Sequence, residues 1–382
     1  MHKRRFGRIS EYVRSRVYNN EDFRKQWKDT NPFIGTDKEF SFKGRTDFVI
    51  GLIYDPAQYH RYWIAACLDL GVSYKVVDIL KDDWLEEVKK SGCAGFMIWP
   101  HINSMVLKDI LDERVFLLEK YHGIKIYPGA EALALLDNKR RVRDWLLAAG
   151  FNPPKTWCFA QKAEALQWAE TAKFPVIYKT VKGSVSRGVE IIESKAHAIR
   201  LINQCFGKGV YPHRMDRRNN QWDFILFQEY LHECGEIRLI RIGDDYFAIE
   251  KVRNVDAFHS GSGKMRWMPK NEYLLNRTKE ITDKGGFRCM NVDFLQDKEG
   301  NYTVNELHAL FHGPRIPDET NMGKYHQDPA TGEWIFTPGN YYRNYTTNCR
   351  VLDFIKVLGL KFEDNKEWLS KDVFYEIDGR RM

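Results

Sequence analysis

Apolar positions fall in short blocks separated by polar, turn-forming stretches. The run Phe48-Val49-Ile50-Gly51-Leu52-Ile53-Tyr54 is bounded by such formers and predicts a buried strand. Helical spacing follows over 58–70 and stops at Gly71. Residues 73–78 predict a second strand, 82–90 a helix, 94–99 a third strand and 124–127, before Pro128-Gly129, a last one. Strand alternating with helix at this spacing predicts a parallel sheet with crossover helices, a small α/β domain. Its first strand ends at Asp55-Pro56 without a glycine-rich fingerprint, which argues against a dinucleotide site.

The spacing changes near residue 130. Residues 138–149 predict a helix closed by Gly150, and Pro153-Pro154 forces an extended exit. Helices over 162–172 and 195–206 bracket strands over 175–181 and 189–193. Further strands over 223–228, 236–242, 246–253, 288–295 and 302–307 are joined by tight polar turns such as Gly243-Asp244-Asp245. Strands with few helices between them predict an antiparallel α+β region. The stretch 314–343, rich in Pro, Gly, Asn and Tyr, reads as a long ordered loop, and 348–358 as a final amphipathic helix.

Three segments carry candidate chemistry. The first is Phe174 to Val189, a strand with Lys179 near its end followed by a small-residue loop. Gly183, Ser184, Ser186 and Gly188 let backbone N–H groups approach phosphate oxygens, and Lys179 adds a fixed charge. A hairpin loop with an exposed lysine is the competing reading. The second is the hairpin carrying Asp293 and Glu306. A turn at Glu299-Gly300 sets these two opposite each other, with Cβ atoms about 5 Å apart. Carboxylates so close repel unless a cation bridges them, and hard oxygen ligands suit Mg2+ on substrate phosphates. His308 falls on the same face; a solvated strand face is the alternative. The third is Gln228-Glu229-Tyr230-Leu231, a strand running into a linker whose free backbone groups could meet an adenine edge. Glu236 and Arg238 then alternate onto one face, as do Lys251 and Arg253, which a surface charge ladder would also explain.

With 382 residues, 43% hydrophobic and 29% charged, the chain has the composition of a folded protein of two or three domains. No apolar window is long enough for a membrane span, and the basic N-terminus lacks the apolar stretch of a secretory leader. Seven scattered cysteines without a CxxC pair read as reduced thiols of a cytoplasmic protein. The formal charge is +7, and residues 1–30 hold nine Lys/Arg against four Asp/Glu, so most of the excess lies in an N-terminal arm. A docked amphipathic segment accounts for that arm better than a nucleic-acid patch.

In order and spacing these pieces resemble an ATP-grasp domain over 130–313, with 45–128 similar to the α/β domain that commonly precedes it. The likeness rests on Asp137-Asn138-Lys139 with its helix, Pro153-Pro154-Lys155-Thr156, the 174–189 loop, Gln228 to Leu231 with Glu236-Ile237-Arg238, and Asp293 with Asn305-Glu306. It implies a basic arm over 1–44, a pre-ATP-grasp domain over 45–129, a lid subdomain with its entry helix over 130–232 and a C-terminal subdomain over 233–382. It further implies that Lys139 and Lys179 contact ATP phosphates under the loop 183–188, that Glu229, Tyr230 and Leu231 form the adenine hinge, and that Glu236 binds the ribose. Asp293, Glu306 and His308 would hold Mg2+, two ions in this family, and Arg238, Lys251 and Arg253 would hold an acidic substrate and its acyl phosphate. The implied activity is ligation of a small carboxylate to an amine with release of ADP and phosphate. A small-molecule kinase and a non-catalytic nucleotide-binding protein are the alternatives, and a homodimer is left open. Two departures stand out: His308 occupies a place where the family commonly has Asn, and Asn291 one where D-alanine:D-alanine ligases have Arg.

Overall fold

The computed structural model describes residues 31–100, 104–183, 188–210, 219–232, 234–251, 265–312, 320–341 and 345–369. The N-terminal sheet has five strands, β1 (Ser41–Phe42), β2 (Ile50–Ile53), β3 (Tyr74–Val77), β4 (Phe96–Met97) and β5 (Ile126–Tyr127), in the order β1-β3-β2-β4-β5. The last four run parallel as expected, while β1, read from the sequence as part of the arm, pairs antiparallel on β3. Helices α1 (Arg61–Leu70), α2 (Trp84–Lys90) and α3 (Met105–His122) make the crossovers. Gly51 sits where a Cβ would lie 2.1 Å from the Phe96 ring, so adjacent strands can close only on a glycine.

Helices α4 (Ala130–Leu135) and α5 (Lys139–Ala148) follow; the Asn138 side chain caps α5 by accepting the Arg141 N–H at 3.1 Å. A four-stranded antiparallel sheet comes next, β6 (Thr156–Phe159), β7 (Val176–Lys179), β8 (Val189–Ile192) and β9 (Ile225–Glu229), in the order β6-β9-β7-β8. Period-two alternation sends Val176, Tyr178, Ile225 and Phe227 into a core with α6 (Lys162–Thr171) and α7 (Lys195–Cys205). The opposite face carries Thr156, Lys179, Leu226 and Gln228.

The largest sheet has seven strands, β10 (Gly235–Ile242), β11 (Asp245–Lys251), β12 (Met265–Trp267), β13 (Cys289–Gln296), β14 (Tyr302–His308), β15 (Gly323–Gln327) and β16 (Trp334–Pro338). Its order is β14-β13-β10-β11-β15-β16, with β12 on β11. One face packs on α4, α5 and α8 (Glu272–Lys284) through Leu135, Leu146 and Leu274. The other shares a core with the N-terminal sheet and α9 (Tyr345–Val357), through Ile240, Phe247, Ile249, Val351 and Phe354. The stretch expected to be a loop over 314–343 therefore contains the hairpin β15–β16. All seven cysteines are free thiols, and among the described residues no helix is long and apolar enough to cross a membrane.

Candidate active site

Alternation on the seven-stranded sheet gathers the charged residues. Glu236 pairs with Lys251, Arg238 with Asp293, Asp293 with Glu306 and Asn291 with His308, so all seven share one face. Further along the strands that face becomes apolar, with Ile240, Ile242, Ile249 and Cys289 under the N-terminal domain. The ionic group is thus the polar end of a packed sheet face, not a solvated ladder.

A register shift between Asp293 and Phe294 changes what β14 presents. Asp293 opposes Glu306 but Phe294 opposes Val304, leaving Asn305 as the extra residue of a bulge. Val304 and Leu307 both point into the core, while Asn305 and Glu306 both turn to the site. Asn305 Oδ1 then accepts from Lys179 Nζ at 3.2 Å, across the junction of the two sheets.

The charges are tightly paired. Arg238 forks onto Asp293 through Nε and Nη2, both at 2.9 Å, and Asp293 also accepts from Lys251 Nζ at 2.9 Å and Asn291 Nδ2 at 3.1 Å. Burial alone would push the Asp293 carboxyl up, but Arg238 and Lys251 together hold it far below the carboxylate range. Lys251 also donates to Glu236, whose carboxyl burial raises despite that partner. His308 Nε2 lies 2.9 Å from Glu306 Oε2. For Glu306 burial again acts upward, and the His308 contact with the charges of Lys139 and Lys179 outweighs it, keeping the carboxyl well down. Burial lowers the Lys179 ammonium, with Glu306 opposing.

The ends of the glycine loop are pinned to this group. Gly183 N–H donates to both Asp137 oxygens, at 3.2 and 3.3 Å, and the Gly183 carbonyl accepts from Lys139 Nζ at 2.5 Å. Lys139 N–H reaches the Val181 carbonyl at 3.0 Å, tying α5 to the same strand end. Gly188, at φ +73°, returns its carbonyl to Thr180 N–H at 2.8 Å. A narrow cleft opens between the sheets, lined by Lys139, Arg143, Thr156, Lys179, Gln228, Asn305 and Glu306 among others.

The structure therefore brings Lys139, Lys179 and Glu306 to one cavity, and Asp293, Glu306 and His308 to within 4.8 Å of one another by their ligand atoms. Two carboxylates and an imidazole suit a divalent cation, and no hydrogen bond among the described residues falls on Glu306 Oε1. Arg238, Lys251 and Glu236, expected to face substrate or ribose, are engaged with one another and with Asp293. The Glu229 carboxylate accepts the Lys155 N–H at 2.7 Å, and the Tyr230 ring packs 5.4 Å from His232. Ser184, Ser186 and Arg253 lie outside the described residues, as do 1–30 and 259–264. The sequence reading missed the roles of Asp137, Arg143, Thr156, Gln228 and Asn305. Asn305 was legible as the neighbour of Glu306 but its contact with Lys179 follows from the bulge, whereas Asp137 was legible as the residue leading into a capped helix.

No family model matches the chain. Among curated proteins it is 25% identical over 191 residues to the alpha-aminoadipate–LysW ligase LysX of Sulfurisphaera tokodaii, a match spanning 49% of this chain and 64% of that protein. Among solved structures, N5-carboxyaminoimidazole synthetase from Staphylococcus aureus superposes with a TM-score of 0.52 at 15% identity, over 84% of this chain and 80% of that one. Its complex with ADP gives the same TM-score at 16% identity. The chain has the ATP-grasp fold. The cleft lies between the four- and seven-stranded sheets, with Lys179 on one and Asn305 and Glu306 on the other.

Proposed function

We propose that this protein is an ATP- and Mg2+-dependent ligase that activates a small-molecule carboxylate as an acyl phosphate and couples it to an amine. The observation that carries the reading is the convergence of Lys139 and Lys179 with Asp293, Glu306 and His308 beside one intersubdomain cavity. Phosphoryl transfer needs positioning and charge neutralisation, and this group supplies both without any nucleophilic side chain. The name of the LysX relative, a ligase, and the nucleotide complex of the synthetase support the same class.

In this reading Lys139 and Lys179 bind the phosphates, and the Gly183 and Gly188 ends of the loop offer their backbone to them. Glu306, His308 and Asp293 would hold Mg2+, which neutralises charge building on the transferred phosphoryl group. Arg238 and Lys251 keep Asp293 ionised and oriented. A substrate carboxylate oxygen attacks the γ-phosphorus while the bond to the bridging oxygen breaks, releasing ADP. The amine then attacks the acyl carbon, loses a proton, and phosphate departs with the carbon–oxygen electron pair.

The test is a panel of amino acids, di-acids and amines scored for ADP release, with mass spectrometry of the product. A ligase releases free phosphate and forms an amide, whereas a kinase leaves the phosphate on its product. Lys179→Ala and Glu306→Ala are expected to abolish turnover, and full turnover in either overturns the site assignment.

A further inference from the structure

Arg350, on α9, is 0% exposed, yet among the described residues its guanidinium finds only the Phe311 carbonyl, which accepts from Nη2 at 2.7 Å, and the weakly accepting Cys289 thiol, leaving Nε and Nη1 without a well-formed hydrogen bond. Its guanidinium carbon stands 3.9 Å from the Phe311 ring centroid, 5.4 Å from that of Trp99 and 5.9 Å from that of Trp63. No described carboxylate forms an ion pair with it: Asp353, one turn on, is taken by Arg288 and Tyr127. The titratable groups beside it are Cys289, Tyr127 and Cys349, all neutral at physiological pH because burial pushes the thiols to about 11 and about 12 and the phenol well above its usual value. Among the described residues Trp63 Nε1 is a second buried N–H donor without a partner in the same cluster. An arginine cannot shed its charge, and a buried, uncompensated guanidinium is among the costliest groups a fold can hold.

The cluster sits where ligands bind in open α/β sheets. The strand order reverses between β2 and β4, since β3 lies on one side of β2 and β4 on the other. Trp63, on α1 after β2, and Trp99, just beyond β4, mark the carboxyl ends of those strands. Across from them Tyr62 and Trp99 pack on His312, with ring centroids 4.9 and 5.2 Å away. Phe311 is only three residues beyond His308, so the two Cα atoms are at most about 11 Å apart.

We infer that Arg350 and Trp63 form an anion subsite that anchors a non-reacting carboxylate of the acidic substrate, whose reacting end reaches the nucleotide. This rests on the ligase reading, and it names the substrate class as an acid carrying a second carboxylate. A bidentate carboxylate on Nε and Nη1 supplies the missing counter-charge, and the aromatic walls exclude water around it.

The test is thermal stability of the full chain titrated with glutarate, L-glutamate or sulfate at constant ionic strength, with MgADP binding followed separately by calorimetry. Wild type should be stabilised saturably by a dicarboxylate and not by sulfate. Arg350→Met should keep its melting temperature and its MgADP affinity while dicarboxylate binding weakens by tenfold or more, the scale of a lost charged hydrogen-bond pair. Trp63→Phe, which keeps the ring and removes the N–H, should weaken dicarboxylate binding a few-fold. Equal dicarboxylate binding by Arg350→Met and wild type, or no saturable response in wild type, overturns the subsite. Equal stabilisation by sulfate overturns the substrate assignment in favour of an inorganic oxyanion. Loss of MgADP binding by wild type would instead sink the ligase reading, which the dicarboxylate titration does not measure.

Discussion

Replacing Lys251 by Met separates two roles for the ionic face. Lys251 is 7% exposed, and its ammonium serves both Glu236 and Asp293. Without it Asp293 keeps the Arg238 fork and Asn291, but Glu236, 6% exposed, loses its hydrogen-bonding cation. Removing one partner of a buried pair costs about 3–5 kcal/mol. At roughly 2.1 cal/mol/K per residue, a chain of this size unfolds with an entropy of about 0.8 kcal/mol/K, so the loss should read as a fall of about 4–6 °C in Tm. Acidification gives a second signature. Burial already raises the Glu236 carboxyl, and removing Lys251 raises it further, so the folded variant takes up a proton more readily than the unfolded chain. A group with a raised folded pKa stabilises the fold as pH falls, so the deficit should narrow from pH 7 toward pH 5. Adding Glu236→Gln should restore most of the loss at pH 7, since no unpaired charge is then left. Thermal melts of wild type, single and double variants measure all three effects. An unchanged Tm in Lys251→Met, with kcat sharply reduced at constant KM, would show that Lys251 acts on the reacting groups instead of balancing buried carboxylates.

Two further substitutions test other parts of the molecule. Burial, with the Arg61 charge beside it, draws the His60 imidazole down from 6.5 to about 3, so below pH 6.5 the unfolded chain binds a proton that the folded one refuses. Stability should fall by about 1.4 kcal/mol per pH unit below 6.5, roughly 2 kcal/mol at pH 5. His60→Asn, whose Oδ1 can replace Nδ1 as acceptor of the Asp55 N–H, should flatten that slope in urea titrations, and parallel slopes would count against it. Gly188→Ala puts a Cβ 2.1 Å from Thr180 Oγ1 at a left-handed backbone position. About 1–2 kcal/mol of backbone strain there should weaken MgADP binding by about five- to thirtyfold in calorimetry; unchanged affinity would detach the loop from the nucleotide site.

How much was legible in advance differs from element to element. The pairing of Asp293 with Glu306 follows from the turn, where Gly300 N–H closes onto the Asp297 carbonyl at 3.2 Å, because a hairpin's register is set by its turn. The bulge beside them has no such marker, and it alone brings Asn305 to Lys179. Helix α3 escaped detection because its apolar residues lie on both faces: Leu111, Val115 and Leu118 are buried, whereas Val106, Phe116 and Tyr121 are exposed. The β15–β16 hairpin was hidden by its position at the sheet edge. On β16 the apolar run Trp334-Ile335-Phe336 is only three residues long and only Trp334 is buried, so the pattern is too short to separate that strand from a loop. Arg350 could be read only after folding, since nothing local in Asn348-Cys349-Arg350-Val351 separates an exposed helix arginine from one without a counter-ion.

The division of apolar cores carries a thermodynamic consequence. The N-terminal sheet and one face of the seven-stranded sheet share a single core, so neither can open without exposing the other. The four-stranded subdomain keeps its own, built from Tyr178, Ile202, Phe227 and their neighbours. Its ties to the body include polar bonds at the cleft, such as Lys179 to Asn305 and Lys139 to the Gly183 carbonyl. Such a unit can tilt without breaking apolar contacts in either core, and its unfolding need not be coupled to that of the body. A nucleotide held by both sides would then act as a tether between two cooperative units, so its main energetic signature would be the degree to which the molecule melts as one.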